Sequence, residues 1–167
     1  YIRQKPVELE RLVEIARVQS TEYSNKIEGI VTTSSRIKQL MEDKTTPRNR
    51  DENEIMGYRD VLNTIHESHD FIPVRPTYIL QLHRDLLKRA GLSYGGHFKN
   101  VQNYINETRP DGSQFTRFTP VAPYETEAAI EAICASYEQT LSVEAVDPLI
   151  LIPAFICDFL CIHSCQK

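Results

Sequence analysis

A chain of 167 residues, 25% charged and 41% hydrophobic with no Trp and six glycines, has the composition of an ordinary globular domain long enough to bury a substantial core. Disorder and a second domain are not expected. Its net charge of −4 gives no broad positive field for nucleic-acid phosphates. All four cysteines lie in the last third, which fits buried thiols in a reducing, cytoplasmic compartment and not a disulfide framework.

The first element is a helix. Pro6 is followed by acidic residues, and Leu9, Leu12, Val13, Ala16, Ser20, Tyr23 and Ile27 recur at helical spacing, with Gly29 placed to end the run. A short helix follows from Ser34, and DKTTPRNRD reads as a polar connection. Ile55, Tyr58, Val61, Leu62 and Ile65 mark another amphipathic helix that frays into HESHD. The charges at its start, Asp51, Glu52 and Glu54, read as a solvated face. Pro76 opens the next helix, in which Ile79, Leu82, Leu86 and Leu87 face inward, and Gly91 closes it.

Between Gly91 and Pro123 the pattern changes. An RPDG turn lies between Tyr104-Ile105 and Phe115-Phe118, the pattern of a surface β-hairpin. Helix resumes over Tyr124 to Leu141, with Glu125 and Glu127 complementing the macrodipole of its first turn. A last helix follows VDP and runs toward Ile162 with Pro153 in its early turns. Its apolar stretch LILIPAFICDFLCI is shorter than the ~20 residues a membrane span requires, so a core helix is expected and no membrane segment. The architecture is therefore mainly α, a helical bundle with one β-hairpin.

Two clusters have residue types that can bind metal. Cys157, Cys161 and Cys165 share a helical face, but zinc sites draw their ligands from turns or from more than one element. His66, His69, His83 and His97 form no ligand set with His163, so no metal site is expected. By itself, a histidine closing an apolar helix, as His163 does, is a C-terminal cap or a surface residue.

The segment FICDFLCIH resembles the helix of the Fic (filamentation-induced-by-cAMP) domain family that ends in Ile-His-Pro-Phe before a glycine-rich loop, with Phe159, Ile162 and His163 in matching places. GGHFKNVQNYI resembles the family's Gly-x-aromatic-basic segment through Gly96, Phe98, Lys99 and Val101. The hairpin NYINETRPDGSQFTRFTP resembles the target-docking flap that follows it. Near the N-terminus SNKIEG is similar to the inhibitory motif Ser/Thr-x-x-x-Glu-Gly/Asn, through Ser24, Glu28 and Gly29. The four pieces occur in the family's order and cover most of the chain. The resemblance divides it into an N-terminal inhibitory region, 1–45, and a Fic core from 46 to 163 with its flap at about 101–118.

The resemblance implies AMP transfer from ATP, with Mg²⁺, to a hydroxyl of a target protein. His163 would be the general base, Glu28 the inhibitor with Ser24 and Gly29 fixing its surroundings, and Tyr104, Ile105, Phe115 and Phe118 the docking flap. In the family a loop of form Pro-Phe-x-Asp/Glu-Gly-Asn-Gly-Arg follows the histidine, grips the phosphates and holds the metal. Here Ser164-Cys165 replaces Pro-Phe and the sequence reaches Lys167. The chain is thus expected to be a truncated member of the family, inactive by itself. Two readings stay open beside these. Glu28 can equally be a surface glutamate without its arginine partner, and the flap residues can simply pack the hairpin onto the helices. An alternative of a different class is a non-catalytic interaction module that associates with another protein chain or a second copy of itself.

Overall fold

The computed structural model describes residues 6–143 and 146–162. Among these residues, six α-helices and one hairpin follow in the order α1 (Pro6–Ile27), α2 (Ser34–Met41), α3 (Arg50–Ser68), α4 (Pro76–Lys88), β1 (Ile105–Thr108), β2 (Gln114–Phe118), α5 (Pro123–Ser142) and α6 (Pro148–Ile162), with a single 3-10 turn at His69–Phe71. The chain divides into two compact units, one of the residues up to His69 with Asp85–Ser93, the other of Asp70–Arg84 with the chain from Tyr94 onward.

Local signals set the element ends in the first unit. Gly29 takes φ +83, and its amide donates to the Lys26 carbonyl at 3.1 Å while the Ile30 amide reaches the Asn25 carbonyl at 2.9 Å. Those two bonds are the Schellman closure that a left-handed residue after the helix allows. Thr33 caps α2 by accepting from the Arg36 amide, and Asn49 caps α3 by accepting from the Glu52 amide at 2.9 Å. Ile37, Leu40, Ile55 and Met56 form the core, with Val18, Ile30 and Met41 packed against it. Gly57 is required by a close approach, because a Cβ there would lie 2.0 Å from the Leu86 carbonyl oxygen.

Buried charge supports this core. Arg36 and Glu52 are 9% and 7% exposed and meet through two parallel bonds, Nε to Oε1 at 2.8 Å and Nη2 to Oε2 at 2.7 Å. The guanidinium also donates to Thr45 Oγ1 and the Thr46 carbonyl, and Glu52 accepts from the Arg48 amide. Glu52 therefore does not belong to a solvated face. Its carboxylate is held down to about 2, first by the Arg36 hydrogen bond, and Arg36 is raised in return. A charged residue in the first turn of an amphipathic helix looks the same in sequence whether it is solvated or paired. Arg59 is buried as well, donating to the Leu40 carbonyl at 2.9 Å and pairing with Asp43 and Asp60.

The second unit is built on α5 and α6. Ile130, Cys134 and Ile162 form its buried centre, with Ile79, Phe98, Phe155 and Phe159 around it. Full burial of such a side chain is worth about 1.5–3 kcal/mol. Tyr137 and Phe159 each pack on Phe155, with ring centroids 5.1 and 6.2 Å apart. The expectation of a core helix holds for only part of α6. Leu151 and Ile162 are buried, whereas Leu149, Ile150, Ile152, Ile156 and Leu160 are exposed. The thiols divide in the same way, Cys134 buried but Cys157 and Cys161 exposed, and Cys165 lies outside the described residues. Helical periodicity places apolar residues on faces without saying how many of those faces are covered. The same holds for α1, whose Leu9, Leu12, Val13, Tyr23 and Ile27 are exposed. Among the described residues no helix is long and apolar enough to cross a membrane.

Candidate functional site

His163 itself, with Ser164 and Cys165, lies outside the described residues; the helix leading to it does not. The last residue of α6, Ile162, is 5% exposed in the core of the second unit. Its backbone carbonyl, one of the four that a helix C-terminus leaves without an intrahelical partner, accepts from Lys99 Nζ at 2.7 Å. Lys99 is 3% exposed, and desolvation lowers its pKa.

The segment carrying Lys99 is held along its length. Gly96 has φ +83 and comes so close to α4 that a Cβ would sit 2.9 Å from Arg84 Cβ and 3.2 Å from the Leu80 carbonyl oxygen. Its amide donates to His83 Nδ1 at 3.2 Å. Burial first, and then the charge of His97, holds the His83 imidazole below its usual range, which keeps that lone pair available. Phe98 packs beside Ile130, Cys134 and Ile162. The Gly-x-aromatic-basic pattern thus has three separate physical jobs: a close approach to α4, a place in the core and a cation at the end of α6.

The hairpin comes next in the chain. Gln102 Nε2 donates to the Asn103 and Pro120 carbonyls, both at 3.0 Å, and so ties the two ends of the hairpin together. The strands are antiparallel, Ile105 opposite Phe118 and Glu107 opposite Phe115, with an irregularity between Ile105 and Asn106. Asp111 Oδ1 accepts from the amide and hydroxyl of Ser113, which depresses its pKa and shapes the turn, and Gly112 supplies φ +83. Tyr104, Ile105 and Phe118 are exposed, and Phe115, half-buried, carries the Arg109 guanidinium 4.5 Å from its ring centre. Among the described residues the sheet has two strands, so each has one edge without a strand partner there.

In the first unit, Ser24 Oγ lies 3.0 Å from the Tyr58 hydroxyl, which also meets Ser20 Oγ at 3.0 Å. Tyr58 of α3 therefore anchors the turn of α1 that precedes Glu28. Glu28 is exposed and follows the last residue of α1, and Gly29 is the left-handed residue of the Schellman closure. Glycine and asparagine are the residues that tolerate such a conformation, which accounts physically for both being allowed at that motif position. In the sequence Tyr58 is only a member of an apolar stripe, and Lys99 only one letter of a pattern.

Among the described residues no three His, Cys, Asp or Glu side chains gather where they could hold a metal ion. A cavity of about 260 Å³ in the second unit is lined by apolar side chains including Val74, Ile79, Phe155 and Phe159, and it offers little to a charged nucleotide.

A model described as the Fic/DOC family matches residues 73–164. Among solved structures, the chain is similar to a Fic domain containing signaling protein from Bacteroides thetaiotaomicron, with 21% sequence identity and a TM-score of 0.83. That likeness covers 99% of this chain and 62% of the other, so the 167 residues span less than two thirds of the protein they match. It bears out a mainly α fold with one hairpin. No curated protein matches.

Proposed function

Because the chain belongs to the Fic/DOC family, we propose that it is the Fic core of a protein adenylyltransferase, with His163 as general base and Glu28 as inhibitor. The observation that carries the reading is the end of α6. The family match runs through residue 164, and Lys99 fixes the carbonyl of the residue directly before His163.

In the proposed reaction a hydroxyl oxygen of the target protein attacks the α-phosphorus of ATP as His163 takes its proton. The bond from that phosphorus to the bridging oxygen of the β-phosphate breaks, and pyrophosphate leaves. A neutral imidazole titrating near pH 7 is suited to this transfer. Mg²⁺, when bound, would neutralise charge on the phosphates. The flap would receive an extended segment of the target along an open strand edge, a mode in which backbone bonds give affinity and side-chain pockets give selectivity. Glu28, set at the end of α1 by Gly29 and by the Ser24–Tyr58 contact, would act by obstructing productive seating of the γ-phosphate.

The experiment is labelling of the whole polypeptide that carries these residues with ATP radioactive at either the α- or the γ-phosphate. Label from the α-position alone, lost in His163→Ala, is the expected outcome. Label from the γ-position would replace AMP transfer by phosphoryl transfer. The 167-residue chain assayed by itself is expected to remain unlabelled, because no phosphate-gripping loop is among its residues. Exposed apolar side chains on α6, Leu149, Ile150 and Leu160 among them, favour a second reading in which the chain also associates with another protein chain or a second copy. Sedimentation velocity across a concentration series tests it, and a constant monomer value contradicts it.

A further inference from the structure

We infer that Lys99 is a positioning residue for the base: its ammonium holds the last carbonyl of α6 and thereby fixes the backbone that leads into His163, an inference resting on the assignment of His163 above. Lysine is almost never fully buried unless it is paired. Lys99 is 97% covered, since 3% is exposed, and its one hydrogen-bond partner among the described residues is the Ile162 carbonyl. An apolar side chain of similar length would fill that space without the cost of desolvating an ammonium, so packing alone does not explain the residue.

The position of the charge does explain it. A helix C-terminus ends in carbonyls that carry partial negative charge, and a cation there is favourable within the last turn. Uncompensated, the same field raises the pKa of a histidine next to it, which would leave a base partly protonated at neutral pH. Lys99 both satisfies the carbonyl and offsets that field. It can do so reproducibly because its own segment is fixed, by the Gly96 amide on His83 and by Phe98 in the core that also contains Ile162. The peptide bond joins the Ile162 carbonyl carbon to the next residue, so whatever holds that carbonyl also holds the point from which the chain continues. A misplacement of about 1 Å can cost roughly 100-fold in rate.

The test is nuclear magnetic resonance on the isotopically labelled full chain as wild type, Lys99→Met and Lys99→Arg, with no nucleotide present. In Lys99→Met the His163 ring is expected to titrate roughly half to one pH unit higher. Amides of the last turn of α6 should exchange about tenfold faster. Lys99→Arg should restore most of both, which mere filling of space would not do. Unchanged ring titration and exchange in Lys99→Met overturn the proposal. Should that variant not fold, Lys99→Gln, which keeps an N–H donor without the charge, carries the same comparison. In the labelling assay Lys99→Met is expected to lower kcat roughly 10- to 100-fold with KM for ATP nearly unchanged. Absence of labelling in every variant together with the expected resonance changes would defeat the adenylyltransferase reading and leave the role of Lys99 intact.

Discussion

Arg36 and Lys99 are both basic side chains buried to similar depth, 9% and 3% exposed, and they are satisfied in opposite ways. Arg36 meets a carboxylate through two parallel bonds, a threonine hydroxyl and a carbonyl, so its charge is compensated and its pKa rises. Lys99 meets a single carbonyl and no carboxylate among the described residues, and desolvation lowers its pKa. A compensated cation is what a structural anchor needs. An uncompensated one acts on its surroundings, and what Lys99 meets is the carbonyl that ends α6.

The largest effect expected from breaking this comparison lies beneath the second anchor. Ile130→Ala, at a fully buried position against Ile162, should destabilise the protein by about 2–5 kcal/mol, read by denaturant unfolding. The direct contrast is next. Arg36→Met leaves Glu52 buried without its partner, whereas Lys99→Met leaves no charge behind, so Arg36→Met should lower the Tm by more in thermal unfolding. The reverse order would remove the distinction between the two anchors.

Smaller effects sharpen it at the helix ends. Asn49→Ala removes the cap that delivers Glu52 to Arg36 and should cost about 1 kcal/mol. Gly29→Ala, in open space but at φ +83, should cost about 1 kcal/mol, and Gly29→Asn clearly less. The Arg36–Glu52 pair also has a pH signature. Glu52 falls from an ordinary 4.5 to about 2 in the folded state. Its contribution is therefore fully present above about 4.5 and lost as pH falls toward 2. Unfolding measured over that window should lose stability in the wild type, and part of that slope should be missing in Glu52→Gln.

Much of the fold was legible because its signals are local. Pro6, Gly29 and Pro76 mark helix ends at the places where α1 and α4 begin or stop, and the RPDG turn sits between β1 and β2. The anchors were not legible, because each depends on a partner distant in the chain. Arg36 and Glu52 are 16 positions apart, Lys99 and Ile162 63, and a lysine beside a phenylalanine reads the same whether it is solvated or capping a helix. The exposed faces of α1 and α6 were hidden for a related reason: apolar spacing predicts a face, and only the tertiary structure shows whether anything covers it. His163 was reached through the resemblance alone, since a histidine closing an apolar helix has no chemistry written into its spacing.

The most direct test of the account is intact-mass spectrometry of the whole polypeptide carrying these residues, after incubation with ATP and Mg²⁺, as wild type, Glu28→Gly and Glu28→Gly with His163→Ala. The account predicts an adenylyl adduct that increases in Glu28→Gly and disappears when His163 is replaced. An adduct that survives His163→Ala, or no adduct in Glu28→Gly, would contradict it.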